Sequence, residues 1–163
     1  NIHVSFPVCE QQTARVVDNK DPDGMGRVQV CFWWQKATGD KTPWIPVLST
    51  HASADRGFYF LPEIDDTVLV GFEYNNPDRP FVIGSFFHGK AKPDSKWKSD
   101  KNDIKVIRTK SGNEIYISDE SGKEEVHIFN KGADHHITLT MAEQGKIIIE
   151  SKGKIEMKAQ EII

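Results

Sequence analysis

The chain has 163 residues, 37% hydrophobic and 28% charged, with a formal net charge of −3. That length holds one ordinary domain plus an appendage, and no run approaches the roughly 18 apolar residues that a bilayer span requires. Two cysteines, Cys9 and Cys31, are too few for a disulfide framework and fit no zinc spacing, so they read as unpaired thiols. Residues 1–88 carry 7 Lys+Arg against 11 Asp+Glu, net −4, which argues against a phosphate-tracking surface there. Residues 89–163 carry 14 against 13, net +1.

Residues 1–12 form a leading segment without Met or the layout of a signal peptide, and the chain reads as a piece of a longer protein. From 13 to 88, short strand-like runs alternate with turn signals. The run 13–18 precedes the turn cluster Asp21-Pro22-Asp23-Gly24. The run 27–34 alternates Val28, Val30, Phe32 and Trp34 on one face with Gln29, Cys31 and Trp33 on the other. Further runs stand at 44–48, 58–61, 67–72 and 81–87, with Asn75-Asn76-Pro77-Asp78 as the turn before the last. Five or six short strands bounded by Gly and Pro, with no helical spacing beyond two turns, predict a small closed or half-closed β-barrel over 1–88. Residues 89–103 are polar, charged and nearly free of aliphatics, as a linker is; Trp97 stands out as a residue able to pin it against a barrel or a neighbouring subunit.

From Ile104 to Ile163 one short theme repeats. Ile115-Tyr116-Ile117, Val126-His127-Ile128, Ile137-Thr138-Leu139-Thr140-Met141, Ile147-Ile148-Ile149 and Ile155-Glu156-Met157 are apolar alternations separated by Gly-containing turns, in steps of 11, 11, 10 and 8 residues. Such repeats put one apolar row on one face of each strand, and they bury it only with enough neighbours. A single chain therefore makes a ribbon with a bare apolar face, which several copies around a common axis would close. The expected shared core is Ile115, Ile117, Val126, Ile128, Ile137, Leu139, Met141, Ile147, Ile149, Ile155 and Met157. The rival arrangement is an ordinary intrachain sheet packed on the barrel.

Candidate chemistry is sparse. His51, Ser53 and Asp55 sit close in sequence, but triads are assembled from distant segments and need an oxyanion hole, so a polar loop is expected. Glu63, Asp65 and Asp66 precede the run at 67 and read as a solvated turn rather than an acid–base pair. Parity places His135 on the face of Ile137 and Leu139; three copies of it converging would make a metal site, whereas a break of parity at Gly132-Ala133-Asp134 would leave His135 and His136 in solvent. His127 lies opposite Val126 and Ile128, hence outward. The aromatics Phe32, Trp33, Trp34, Trp44, Phe58, Phe60, Phe86 and Phe87 raise the question of base stacking on a barrel, but the half that carries them is net acidic. No catalytic residue, metal or cofactor is assigned, and no nucleic-acid partner is expected.

Several ordered motifs carry a resemblance. The run DGMGRVQVCFWW at 23–34 resembles D-x-x-G-R-V-x-V-x-F-x-W of the VgrG spike proteins of type VI secretion, and WIPV at 44–47 resembles their W-I-R-V. GFYFLPEIDDTVLVGF at 57–72 follows G-x-x-F-x-P-x-I-x-x-x-V-L-V-x-F, and NPDRPFVIG at 76–84 follows D-P-D-R-P-x-x-x-G. KSGNEI at 110–115 and GKEE at 122–125 resemble the start of that family's β-helix. Pro46, Glu63 and Asp65 depart from the usual Arg, basic residue and Gly.

The resemblance implies an all-β protein: an OB-fold-like barrel followed by an intertwined, parallel, trimeric β-helix or β-prism, related to the central spikes of contractile phage tails. It implies a non-enzymatic, membrane-puncturing spike that carries effectors, with an Hcp-like tube and a PAAR-like tip as partners. It also implies assembly in the bacterial cytoplasm, then secretion or delivery to the target cell, with transient membrane contact. In phage relatives a cell-wall hydrolase can sit between barrel and needle, and the 89–103 linker leaves no room for one. The alternatives are a phage tail or extracellular contractile particle spike and, from another class, an OB-fold module binding oligosaccharide or nucleic acid.

Overall fold

The computed structural model describes residues 8–142 and 144–161; the first part of the leading segment and the last two residues of the repeat region lie outside them. The chain divides into two compact units, Asn1–Lys92 and Pro93–Ile163, so residues 93–103 of the expected linker divide with the second.

In the first unit, β1 (Gln12–Asp18), β2 (Gln29–Phe32), β5 (Thr67–Phe72) and β6 (Pro80–Ser85) form one antiparallel sheet in the order β2-β1-β5-β6. A two-residue hairpin, β3 (Ala52–Ser53) and β4 (Arg56–Gly57), stands apart. Alternation decides which side chains go inside: Ala14 and Val16, Val28, Val30 and Phe32, Val68 and Val70, and Val82 form the core with Ile45. Register makes them neighbours, since Ala14 lies between Phe32 and Val68 while Val70 faces Val82. Six of the valines are wholly buried, each contributing about 1.5–3 kcal/mol.

Irregularities between Val16 and Asp18 and between Leu69 and Val70 bend the sheet. Its two edges then approach residues 45–48, which bond to β6 and to the residue just before β2. Val28 and Ile45 exchange backbone bonds of 3.0 and 2.9 Å, while the Leu48 amide donates to Val82 at 2.8 Å and the Val82 amide to Pro46 at 2.9 Å. The unit is thus an OB-like curled sheet whose closure rests on isolated bridges. The predicted strands at 44–48 and 58–61 are not continuous strands: the first makes these bridges, and the second runs extended beyond β4.

One expectation for this unit is corrected. Trp34 does not join the row of Val28, Val30 and Phe32, because β2 ends at Phe32 and Trp33–Gln35 turns as a 3-10 segment, leaving Trp34 68% exposed. The β1–β2 turn is held by Asp21. Its carboxylate accepts from Arg27 Nε at 2.8 Å and Nη2 at 2.7 Å and from the amides of Met25 and Arg27 at 3.0 and 3.2 Å. The guanidinium of Arg27 holds that carboxyl well below the usual carboxylate range. At the β3–β4 hairpin Gly57 is obligatory: φ is +143°, and a Cβ there would stand 2.4 Å from the His51 carbonyl oxygen.

The second unit is a five-stranded meander, order β11-β10-β9-β8-β7, built from β7 (Ile104–Arg108), β8 (Glu114–Ser118), β9 (Glu125–Phe129), β10 (His135–Thr140) and β11 (Lys146–Ser151). Every ladder in it is antiparallel. Connections of about five residues are far too short for the crossover that parallel neighbours in one chain require. Ile155 and Met157 lie beyond the last strand, outside any regular element. Among the described residues the single chain closes neither a barrel nor a β-helix.

Candidate functional site

The five strands of the second unit place their aliphatics in two continuous rows on one face. In the first row Ile107 pairs with Ile115, Ile115 with Ile128, Ile128 with Ile137, and Ile137 with Ile149. In the second, Ile117 pairs with Val126, Val126 with Leu139, and Leu139 with Ile147, with Lys105 at the end beside Ile117. Both rows follow from the period-2 pleat combined with hairpin register. The chain itself does not cover them: Ile117 and Ile137 are 37% and 38% exposed, Ile147 70%. A contiguous aliphatic face of this kind marks an interaction surface.

Ile107 belongs to this face but was missing from the sequence expectation. In Ile104-Lys105-Val106-Ile107 alternation makes Ile104 and Val106 the apolar parity and sets Ile107 with Lys105, so only the pairing with Ile115 reveals that Ile107 faces the rows. Met141 continues the parity of β10 just past its end and is exposed, as are Ile155 and Met157 outside any strand.

The opposite face mixes polar side chains with Val106 and Ile148 and is better covered: Glu114, Ser118 and Thr138 are buried. Tyr116, His127 and Phe129 meet there edge to face, with ring centroids 6.1 and 6.3 Å apart. Burial pushes the Tyr116 phenol up. Residues 94–97 are pinned to their own sheet. Asp94 caps the turn by accepting from the Lys96 amide at 3.0 Å and pairs with Arg108 at 2.7 Å, while the Arg108 guanidinium lies 4.6 Å over the Trp97 ring and bonds the Glu114 carboxylate. The Lys96 amide and Arg108 hold the Asp94 carboxyl below its ordinary value.

The remaining candidates fall apart or settle into turns. His51, Ser53 and Asp55 lie on the exposed β3–β4 hairpin, and among the described residues no hydrogen bond joins them; Ser49 Oγ instead donates to the carbonyls of His51 and Phe58. Asp66 accepts from the Glu63 amide at 2.9 Å, holding the turn before β5, while Asp65 pairs with Arg15 at 3.0 Å. His135 does share the face of Ile137, but it stands one pair beyond the aliphatic rows, with Nδ1 2.9 Å from Ser151 Oγ. His136 lies on the other face, 3.8 Å from Glu150. Within one chain, no three His, Cys, Asp or Glu among the described residues converge as a metal site.

The aromatics of the first unit divide between core and surface. Phe32 is buried and stacks between Trp34 and Phe72, with centroids 5.5 and 6.3 Å away. The indole N–H groups of Trp33 and Trp34 donate to Thr13 Oγ1 at 2.8 Å and Gln12 Oε1 at 2.9 Å. Phe58, Tyr59 and Phe60 are exposed and, with Met25 and Leu48, line a shallow cleft of about 340 Å³. No helix among the described residues is long and apolar enough to cross a membrane.

Comparison with known proteins bears on both the curled OB-like sheet and the meander with its open aliphatic face. Residues 12–87 match the family described as the type VI secretion system/phage-baseplate injector OB domain. Along more of its length the chain is similar to VgrG spike proteins: 26% identical to the type VI secretion system spike protein VgrG5 of Pseudomonas aeruginosa over 84% of this chain and 19% of that protein. It is 29% identical to VgrG1a of the same species over 72% of this chain and 20% of that protein. To the actin cross-linking toxin VgrG1 of Vibrio cholerae it is 28% identical over 65% of this chain and 10% of that protein. The resemblance to the VgrG spike family therefore stands, and the chain spans about a fifth of the length of VgrG5 and VgrG1a, less of the toxin.

Proposed function

We propose that this chain is the barrel-and-shaft portion of a homotrimeric spike in a contractile injection machine of the type VI class, acting mechanically and without catalysis. The observation that carries this reading is the pair of uncovered aliphatic rows on the second sheet. Three such sheets turned inward around one axis form a prism in which every row finds cover, and each fully buried aliphatic contributes about 1.5–3 kcal/mol. Because each chain makes its own five-stranded antiparallel sheet, three sheets side by side fit better than three interleaved chains. A rod of this kind resists compression, since bending it breaks many ladder bonds together. Puncture of a target membrane, carriage of effectors, an Hcp-like tube behind the spike and a PAAR-like tip ahead of it are what the resemblance to the VgrG spike proteins implies for such a rod. The spike would assemble in the bacterial cytoplasm and leave by secretion or delivery. A phage or extracellular contractile particle is the same machine class in another setting.

The experiment is the absolute mass by light scattering after size exclusion. Three times 18.5 kDa is expected, and a monomer at all concentrations overturns the proposal. A monomer would favour the second reading, an OB-type binding module, for which the exposed Trp33, Trp34 and Phe58 are the supporting observation.

A further inference from the structure

The meander has two ends that its alternation does not mention. Turns 109–113 and 130–134 and the segment 152–154 lie along one long edge of the second sheet, because β7–β8 and β9–β10 turn there and β11 exits there. The segment 99–103, the turn 119–124 and the described residues between β10 and β11 lie along the other. Charge is sorted between them. The first edge holds Lys110, Lys131, Lys152 and Lys154 against Asp134, net +3, or +2 when Glu156, paired with Lys154 at 3.0 Å, is counted. The described residues of the second hold Asp100, Asp103, Asp119, Glu120 and Glu124 against Lys101 and Lys123, net −3. Internal pairs, Lys152 with Asp134 and Lys123 with Glu120, are already inside these sums and leave both signs unchanged.

The two edges flank the aliphatic rows, so copies arranged around an axis that the rows follow bring these edges together. Rotation about a closed axis makes that contact heterologous: one edge of each copy meets the other edge of the next. We propose that neighbouring copies of this chain join in one direction around the shaft, the lysine-rich edge of one sheet against the carboxylate-rich edge of the next. The aliphatic rows supply the driving force, and the edges supply direction, rate and discrimination against like-edge pairing. This rests on the trimeric reading and adds its polarity. Assembly accordingly weakens and slows with added salt, because exposed charges are screened within about 8–10 Å at physiological ionic strength.

The test is a charge-swap series on the whole chain, read by light scattering against concentration at low and high salt. Lys110→Glu/Lys131→Glu/Lys152→Glu makes both edges acidic, and Asp119→Lys/Glu120→Lys/Glu124→Lys makes both basic. Each is expected to raise the concentration at which trimer forms by at least about 100-fold. All six substitutions in one chain exchange the signs of the edges and are expected to restore the trimer, which also separates lost pairing from lost folding. A trimeric wild type whose assembly ignores both reversals and salt overturns the inference while leaving the trimer intact, and gives the edges to solvent or another protein. A six-fold variant that stays monomeric also overturns it. A monomeric wild type instead removes the trimeric reading beneath it.

Discussion

The two units solve the same problem in different ways. Both are antiparallel sheets whose apolar side chains follow a period of two, but the first curls on itself and the second stays open. In the first, six valines are wholly buried because bulges bend the strands and residues 45–48 bridge the edges. In the second, Ile115, Ile128 and Ile137 stand in an equally regular ladder and remain 38–45% exposed. The lesson is that alternation specifies a face, and curvature decides whether one chain suffices to cover it. A unit that curls carries its stability within itself, whereas a flat one is stabilised through assembly.

That contrast breaks most sharply at Ile128. Ile128→Asp puts a charge into the middle of the first aliphatic row; trimer formation is expected to weaken at least about 1,000-fold, with the far-ultraviolet spectrum retained. Unchanged mass by light scattering would show that the face is not the shared core. Val68→Ala in the first unit works differently: a cavity in a closed core is expected to lower unfolding free energy by about 2 kcal/mol at every protein concentration. Urea titration at two concentrations separates this from Ile128→Ala, whose loss is expected to grow where the trimer is populated.

Arg108→Ala tests whether the second unit has any closed element of its own. It removes the cation over Trp97 and leaves Glu114 buried without its partner, so a loss of about 2 kcal/mol is expected; a loss of less than 0.5 kcal/mol, roughly the scale of ordinary surface substitutions, would make the cluster ornamental.

The smallest effect is in pH. Asp94 has its carboxyl lowered in the folded state by the Lys96 amide and Arg108, so its contribution is present above the unfolded value of about 3.9 and lost as pH falls through the lowered folded value. The stability gap between wild type and Asp94→Asn is expected to shrink from pH 6 towards pH 3. A gap constant over that range would show that the carboxylate's charge contributes nothing.

Much of this was legible in the residues themselves. The turn at Asp21–Gly24, the strands at 12–18, 67–72 and 80–85, and the four repeats from Ile115 to Ile149 emerged as strands because alternation and Gly-bounded turns are local properties. The aliphatic rows were likewise readable one strand at a time. What alternation could not supply was where a strand ends: Trp34 leaves its row at a 3-10 turn, and Ile155 and Met157 extend a pattern that no longer pairs. Nor did it point to Ile107, which shares its parity with Lys105 and joins the row only through its pairing with Ile115.

Composition, period and turn spacing determined that this chain is all-β, that it begins as a small curled sheet and that it ends with more aliphatic surface than one ribbon can hide. Those are consequences of nearest-neighbour chemistry, written into each short segment. Tertiary structure alone decided that the isoleucines of separate repeats fall into two unbroken rows, and that lysines and carboxylates from distant turns collect on opposite edges. Register is the reason: it is fixed by the pairing of whole strands, and no residue carries it by itself.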